Sequence, residues 1–433
     1  MAYSKKLADL LKAKGIEEGE GIRVDKSGII YEGMLLPHSA RSEDVLVVKL
    51  KSGYNAGVKF DEKTKIEKIA FEKPTQEKPR AITQKAGLPK IALVSTGGTI
   101  ASKVDYNTGG VKAAVKPDEL LESFSDVLEV ASIAKISAPI SEMSEDLQPK
   151  HWIALAKDVW KELKSAEGVV VTHGTDSMHF TSAALSFMIS SNKPVVITGA
   201  QRSPDRPSSD TSMNLVCAAH FATKSKFPGA AIVMHGSSGD EFCLAHRGNK
   251  VRKLHTSRRD AFKSVNAKPL AKIFADGRIE EKTFETQARE EKLNAVFEDK
   301  VALVKAYPGS DPAMLDWLGE KNKGIIIEAM GLGHVPTKEK SWLPHVKKLV
   351  DKGVFVGITS QTIFGRVNPF VYSNLRLLAD TGAIFLEDLL SETAYVKLGW
   401  VLAQAKTLEE TKEMMLQNFA GEFNARLSQE DFL

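Results

Sequence analysis

The sequence predicts an α/β protein: a two-domain body built on parallel sheets, preceded by a small all-β, barrel-like domain. Three observations lead there. Residues 22 to 70 alternate apolar runs with turn residues, the apolar runs after residue 90 become short and continuous, and four of those later runs are followed by glycine-bearing polar loops. A strand with one wet face alternates, whereas a strand buried on both faces is apolar throughout, so the change of rhythm marks a change from antiparallel to parallel sheet.

The start, "MAYSKKLADLLKAKG", has the charged amphipathic character of a short helix. "GIIYEGMLLP", "DVLVVKLKSG" and "YNAGVKF" then read as short antiparallel strands. "FEKPTQEKPRAITQKAGLPK" has no period and carries prolines and charge, which makes it a linker and closes a first domain at residues 1–85. "IALVS", "GVVVT", "PVVIT" and "AAIVM" are buried strands, and "TGGT", "HGTD", "GAQR" and "HGSSGD" follow them at the strand ends where open α/β sheets place their ligands. These belong to a large domain at residues 86–290. "KIFADGRIEEKTFETQAREEKLNAVFEDK" opens on a hairpin signal at "ADGR" and continues as a charged, core-poor stretch that marks the next boundary. "VALVK", "GIIIEAM" and "VFVGIT" resume the alternation in a smaller α/β domain at residues 291–433, ending in the amphipathic "LEETKEMMLQNFAGEFNARL". No internal repeat or low-complexity tract interrupts this order.

Composition sets outer limits. The 433 residues are 42% hydrophobic and 26% charged, enough to fill cores and stay dissolved. A net charge of +4, from 59 basic and 55 acidic residues, does not by itself mark a polyanion-binding protein. No apolar stretch approaches the roughly 18 residues of a membrane span, and the start lacks a signal-peptide core, so a cytoplasmic protein without membrane contact is expected. Two cysteines, Cys217 and Cys243, form no CxxC pair, and the ten histidines form no HExxH pair. Neither a disulfide framework nor a metal site is expected.

The loops carry the chemistry. In "STGGTIA", Gly97 and Gly98 let the chain leave its strand sharply and present Thr96 and Thr99, although a plain glycine turn before a helix has the same look. In "THGTDSM", Thr175, Asp176 or Ser177 could cap the helix that follows, or a hydroxyl and a carboxylate could grip a small polar substrate. A threonine hydroxyl is a poor nucleophile at neutral pH and needs a neighbour that takes its proton. Lys253 in "GNKVRKLHTSRRDAFKS" could do so if desolvated and crowded by Lys250, Arg252, Arg258 and Arg259. The same cluster also fits a solvated basic face or a patch for RNA phosphates.

Together, "VSTGGTIAS", "VVTHGTDSM", "ITGAQRS" and the lysine ahead of "DAFKS" resemble the bacterial-type L-asparaginase and glutaminase family, in the same order and at similar intervals, across roughly residues 88 to 420. The resemblance implies that Thr99 is the nucleophile, on a loop with Tyr106 as its hydroxyl partner, and that Thr175, Asp176 and Lys253 form a second catalytic set. Ser144, Glu145 and Asp146 match the segment that holds the substrate's α-amino and α-carboxylate groups, and Gly98 and Gly174 complete the substrate-binding set. Glu145 stands where many members have glutamine, which leaves the choice between glutamine and asparagine open. Both Thr99 and Thr175 carry hydroxyls, and the reverse assignment of the attacking group also stays open.

Ordinary members begin near "TGGTIA", so the leading 85 residues are a departure. An added strand-rich module before an asparaginase-like body resembles the D-subunit family of archaeal glutamyl-tRNA(Gln) amidotransferases, as do "GAQRSPDRPSSDTSMNL" and "TSQTIFGRVNPFVYS". The resemblance implies a glutaminase that releases ammonia from glutamine while an E subunit binds Glu-tRNA(Gln), activates it with ATP and Mg, and accepts the ammonia. It also implies homodimerisation through the asparaginase-like body and a heterotetramer with the partner. The chain shows neither a phosphate loop nor a kinase signature, so ATP chemistry is expected in the partner, and no cofactor in this chain. Two other readings share these residues: a free-standing cytoplasmic asparaginase, and a non-catalytic tRNA-binding scaffold that uses the basic run from Arg247 to Lys263.

Overall fold

The computed structural model describes residues 3–37, 44–51, 55–71, 85, 87–97, 102–104, 111–113, 125–204, 208–281 and 290–432. A helix, Lys5–Ala13, opens the chain, with Leu7 and Leu11 buried on one face and Ser4 capping its start. Five antiparallel strands follow: β1 (Gly21–Lys26), β2 (Ile29–Leu35), β3 (Val45–Leu50), β4 (Asn55–Lys59) and β5 (Thr64–Lys68), in the order β4-β3-β2-β1-β5. Ile22, Val24, Leu46, Val48, Val58 and Ile66 point into one small core, which the helix covers. Alternation in the sequence is thus the inward half of each strand.

The larger part of the chain carries β6 (Lys90–Ser95), β7 (Ser102–Val104), β8 (Val111–Ala113), β9 (Ser132–Ser137), β10 (Gly168–Thr172), β11 (Ile189–Ser190), β12 (Pro194–Thr198) and β13 (Gly229–His235). β14 (Cys243–Arg247), β15 (Val251–Lys253), β16 (Phe262–Ser264), β17 (Ala271–Ile273), β18 (Ile279–Glu281) and β19 (Lys292–Leu293) come next. An eight-stranded sheet has the order β18-β17-β14-β13-β12-β10-β6-β9. β9, β6, β10, β12 and β13 run parallel, and β14, β17 and β18 add an antiparallel edge. The "ADGR" hairpin joins β17 to β18, with Gly277 at φ 87°, a left-handed turn position that suits glycine. Every residue of β10, β12 and β13 is buried, as a sheet covered on both faces requires.

A second, all-parallel sheet has the order β20-β21-β22-β23, from β20 (Val301–Lys305), β21 (Gly324–Ala329), β22 (Phe355–Ser360) and β23 (Ile384–Phe385). Between the two sheets lie the helices Met178–Met188 and Ser391–Leu402, both buried nearly all round, polar residues such as His179, Glu392 and Lys397 included. They join one core that draws Val94, Val171 and Ile232 from the large sheet and Ile326, Phe355 and Val396 from the second unit. The small pair β11 and β19 adds a further link, with Ile189 opposite Leu293.

This topology places a crevice. From β6 the chain passes to β9 on one side of the sheet, and from β10 it passes to β12 on the other, so the connections part between the adjacent ends of β6 and β10. That parting is where open α/β sheets leave room for a ligand.

Candidate active site

β6 and β10 end level with each other, Ser95 opposite Thr172, and Thr198 of β12 lies opposite Thr172 on the other side. The strand bonding continues one step past β6, where Thr96 N donates to Thr172 O at 3.0 Å and the Thr96 hydroxyl donates to the same oxygen at 3.2 Å. Gly97 follows at φ 94°, where a side chain would be strained and would meet Glu142 O at 2.7 Å. Thr96 and Gly97 therefore leave the sheet sharply, pressed against the segment that contains Ser144. Gly98, Thr99 and Tyr106 lie outside the described residues.

The second loop presses on the same segment. A Cβ on Gly174 would sit 2.7 Å from the Ser144 Cβ and 2.8 Å from its Oγ, so only glycine allows this approach. The Ser177 hydroxyl donates to Ser144 O at 2.5 Å, and Glu142 N donates to Thr96 O at 3.1 Å. Ser177 stands at the N-cap of the helix Met178–Met188 but makes no side-chain cap bond among the described residues, so its hydroxyl serves this tertiary contact in place of helix capping. Ser144 is buried, whereas Glu145 and Asp146 lie toward the rim.

Lys253, at the end of β15, reaches this point from the other direction. Its Nζ donates to Thr175 Oγ1 at 2.9 Å and to Asp176 Oδ1 at 2.7 Å. Its side chain is 9% exposed while that of Asp176 is 68% exposed, so the ammonium sits at the floor and the carboxylate at the open side. A hydroxyl, a cation and a carboxylate are thus joined at a strand end, an arrangement able to move a proton to or from the hydroxyl.

The cations named around Lys253 in the sequence each lie against a carboxylate. Lys250 Nζ meets Asp388 Oδ2 at 2.5 Å, Arg252 Nη2 meets Glu392 Oε1 at 2.8 Å, Arg258 Nε meets Asp260 Oδ1 at 2.8 Å, and Arg259 Nη1 meets Asp240 Oδ1 at 2.7 Å. For Lys250, 2% exposed, the carboxylate offsets the cost of burying a lone charge, whereas Arg258 stays 55% exposed beside its partner. The run is neither an unpaired field nor a simple solvated face.

Two residues that the motif reading passes over, His173 and His179, flank the set. His173 is fully buried, and burial pushes it down to about 4 against a smaller opposing effect of its bond to Gly174 O. His179 is pushed down to about 3 by burial first, then by the nearby Arg252 and Lys253. Both are neutral at physiological pH. A histidine beside a lysine in the fold but far from it in the chain gives no signal in the sequence. The third loop is held by Asp210, which is buried and accepts from Gln201 N and Arg202 N at 3.0 Å each and from Asn214 Nδ2 at 3.0 Å. Among the described residues, no group of three or more His, Cys, Asp or Glu side chains is placed to hold a metal ion, and no helix is long and apolar enough to cross a membrane.

Residues 90–286 match the family described as "Asparaginase, N-terminal", residues 300–415 the "Glutaminase/Asparaginase C-terminal domain", and residues 16–69 the "GatD N-terminal domain". Over 427 residues the chain is 47% identical to the D subunit of glutamyl-tRNA(Gln) amidotransferase from Pyrococcus abyssi, covering 96% of each. The chain belongs to the D-subunit family of glutamyl-tRNA(Gln) amidotransferases. A further member, from Methanothermobacter thermautotrophicus, is 43% identical and covers 99% of each chain. Among solved structures, the thermostable L-asparaginase from Thermococcus kodakarensis superposes with a TM-score of 0.71 at 28% identity, over 78% of this chain and 100% of the asparaginase. L-asparaginase I from Vibrio cholerae gives 0.68 at 28% identity with the same coverage. The D-subunit family therefore combines an asparaginase-like body with a leading module of its own, here the sheet β1 to β5.

Proposed function

We propose that the chain is the glutaminase subunit of a tRNA-dependent amidotransferase. It hydrolyses glutamine to glutamate and supplies ammonia to a partner subunit, which converts Glu-tRNA(Gln) to Gln-tRNA(Gln) with ATP. One observation carries the reading: the Lys253 ammonium bonded to both Thr175 and Asp176 at the sheet crevice of a chain that aligns with 96% of a D subunit.

In this reading Thr99 attacks the side-chain amide carbon of glutamine, with Tyr106 beside it. The relay takes its proton and passes it to the departing nitrogen as the carbon–nitrogen bond breaks, so that ammonia leaves. Water then attacks the acyl-enzyme and releases glutamate. Thr175, Lys253 and Asp176 form the proton relay, and the assignment in which Thr175 attacks uses the same three groups. Backbone amides at Gly97 and Gly174 hold the oxyanion, and Ser144, Glu145 and Asp146 hold the α-amino and α-carboxylate groups.

The partner is the E subunit, which supplies the ATP and Mg site and most contacts with the tRNA. The asparaginase-like body pairs with a second copy, and the complex works in the cytoplasm. The division at residues 85 and 290 belongs to the same reading, with the leading module as a docking unit. The test is to purify the chain with its partner and measure ammonia released from glutamine and asparagine, with and without Glu-tRNA(Gln) and ATP. Release from glutamine that rises when both are added supports the proposal. Brisk asparagine hydrolysis by the isolated chain would support a free-standing asparaginase.

A further inference from the structure

The relay has two halves that come from different parts of the chain, and both rest on one helix. Thr175 and Asp176 lead into the helix Met178–Met188, which packs on the helix Ser391–Leu402 through an edge contact of Phe180 with Tyr395, ring centres 6.2 Å apart. Lys253 ends β15, whose strand partner among the described residues is the short β16. A strand of three residues has little pairing of its own to fix its register.

The register is instead gripped from the start of the helix Ser391–Leu402. Alternation along a strand sends Val251 and Lys253 to one face and Lys250 and Arg252 to the other. Val251 enters the core, and Lys253 meets Thr175 and Asp176. On the opposite face Arg252 forms an ion pair with Glu392 at 2.8 Å and Lys250 with Asp388 at 2.5 Å, while Thr393 Oγ1 donates to Asn249 O at 3.0 Å. The Glu392 side chain is 8% exposed, and its second oxygen is buried without a hydrogen-bond partner among the described residues. A buried carboxylate so incompletely bonded is a weak stabiliser compared with an apolar residue of the same shape. Its presence is explained by placement.

We propose that Glu392 is a positioning residue of the relay: by holding Arg252 it fixes β15 so that the Lys253 Nζ lies between Thr175 and Asp176. The inference rests on the catalytic reading of Lys253 given above. A displacement of about 1 Å at a reacting group costs on the order of 100-fold in rate, so the loss appears in turnover. Glutamine binding, which involves other residues, is spared.

The test uses the full chain in its natural complex, with ammonia release from glutamine resolved into kcat and KM and the thermal midpoint measured beside them. Glu392→Ala is expected to lower kcat by roughly 10- to 100-fold with KM within about twofold of the parent. Glu392→Gln keeps the length of the side chain and an oxygen beside the Arg252 guanidinium, where Oε1 now stands 2.8 Å away, and is expected to recover most of the lost kcat. Arg252→Met, which removes the pair from the other side, is expected to match Glu392→Ala and serves if that variant fails to fold. A folded Glu392→Ala or Arg252→Met protein with parental kcat overturns the proposal, as does a loss carried by KM or left unrescued by glutamine at position 392. Lys253→Ala in the same assay separates the two readings. If it is inactive, the relay reading stands and the Glu392 result decides the rest; if it is active, the relay reading itself fails.

Discussion

At the scale of the residue, the crevice depends on a few contacts with little slack. Thr175→Ala and Lys253→Ala each remove one end of the 2.9 Å bond, and each is expected to lower glutamine hydrolysis by several orders of magnitude with the thermal midpoint nearly unchanged. A steady-state assay beside a thermal scan checks this, and activity within tenfold of the parent would count against the relay. Gly174→Ala drives a methyl into Ser144, 2.7 Å away, which forces the loop to shift and costs about 1–3 kcal/mol by urea denaturation. A neutral result would mean that the Ser144 segment yields easily and does not set the crevice. The candidates in "THGTDSM" are legible in the sequence because small polar residues after an apolar strand are conspicuous. Where the Ser177 hydroxyl goes is not legible, since its acceptor, Ser144 O, is reached only through the fold.

At the scale of the element, the parallel strands are readable because burial on both faces leaves an uninterrupted apolar run, as in β10, β12, β13 and β21. β14 is not, because "CLAHR" buries His246 against the Ser264 hydroxyl at 2.8 Å, and that satisfaction comes from another strand. The basic run misleads for a related reason: the carboxylates that neutralise Lys250 and Arg252 come from residues 388 and 392, far along the chain. Asp388→Ala should expose the cost of that arrangement. It leaves the Lys250 ammonium, 2% exposed, without its carboxylate, and is expected to destabilise by about 3–5 kcal/mol in a denaturant titration. A loss below about 1 kcal/mol would show that water or another group replaces the pair.

At the scale of the whole molecule, the two α/β units share a core, so acid should loosen them together. His173, His179 and His246 are pushed down by burial to about 4, 3 and 3. An unfolded histidine titrates near 6.5, so below that pH the unfolded chain binds protons that the fold refuses. Their contribution is complete above about pH 6.5 and is lost as the pH falls toward 4, at roughly 2 kcal/mol per histidine by pH 5. Unfolding free energies measured from pH 7.5 to 4.5 should fall steeply, and His246→Phe should flatten the curve. An unchanged slope would mean that these rings are protonated in the fold. The module built from β1 to β5 is legible as alternating strands, but what it docks against is not written in its own residues. The central claim is tested most directly by Lys253→Ala in the complete complex, with amidation of Glu-tRNA(Gln) measured once with glutamine and once with ammonium as nitrogen donor. The account predicts that the glutamine-driven reaction is lost while the ammonium-driven reaction keeps its parental rate; glutamine-driven amidation at the parental rate would contradict it.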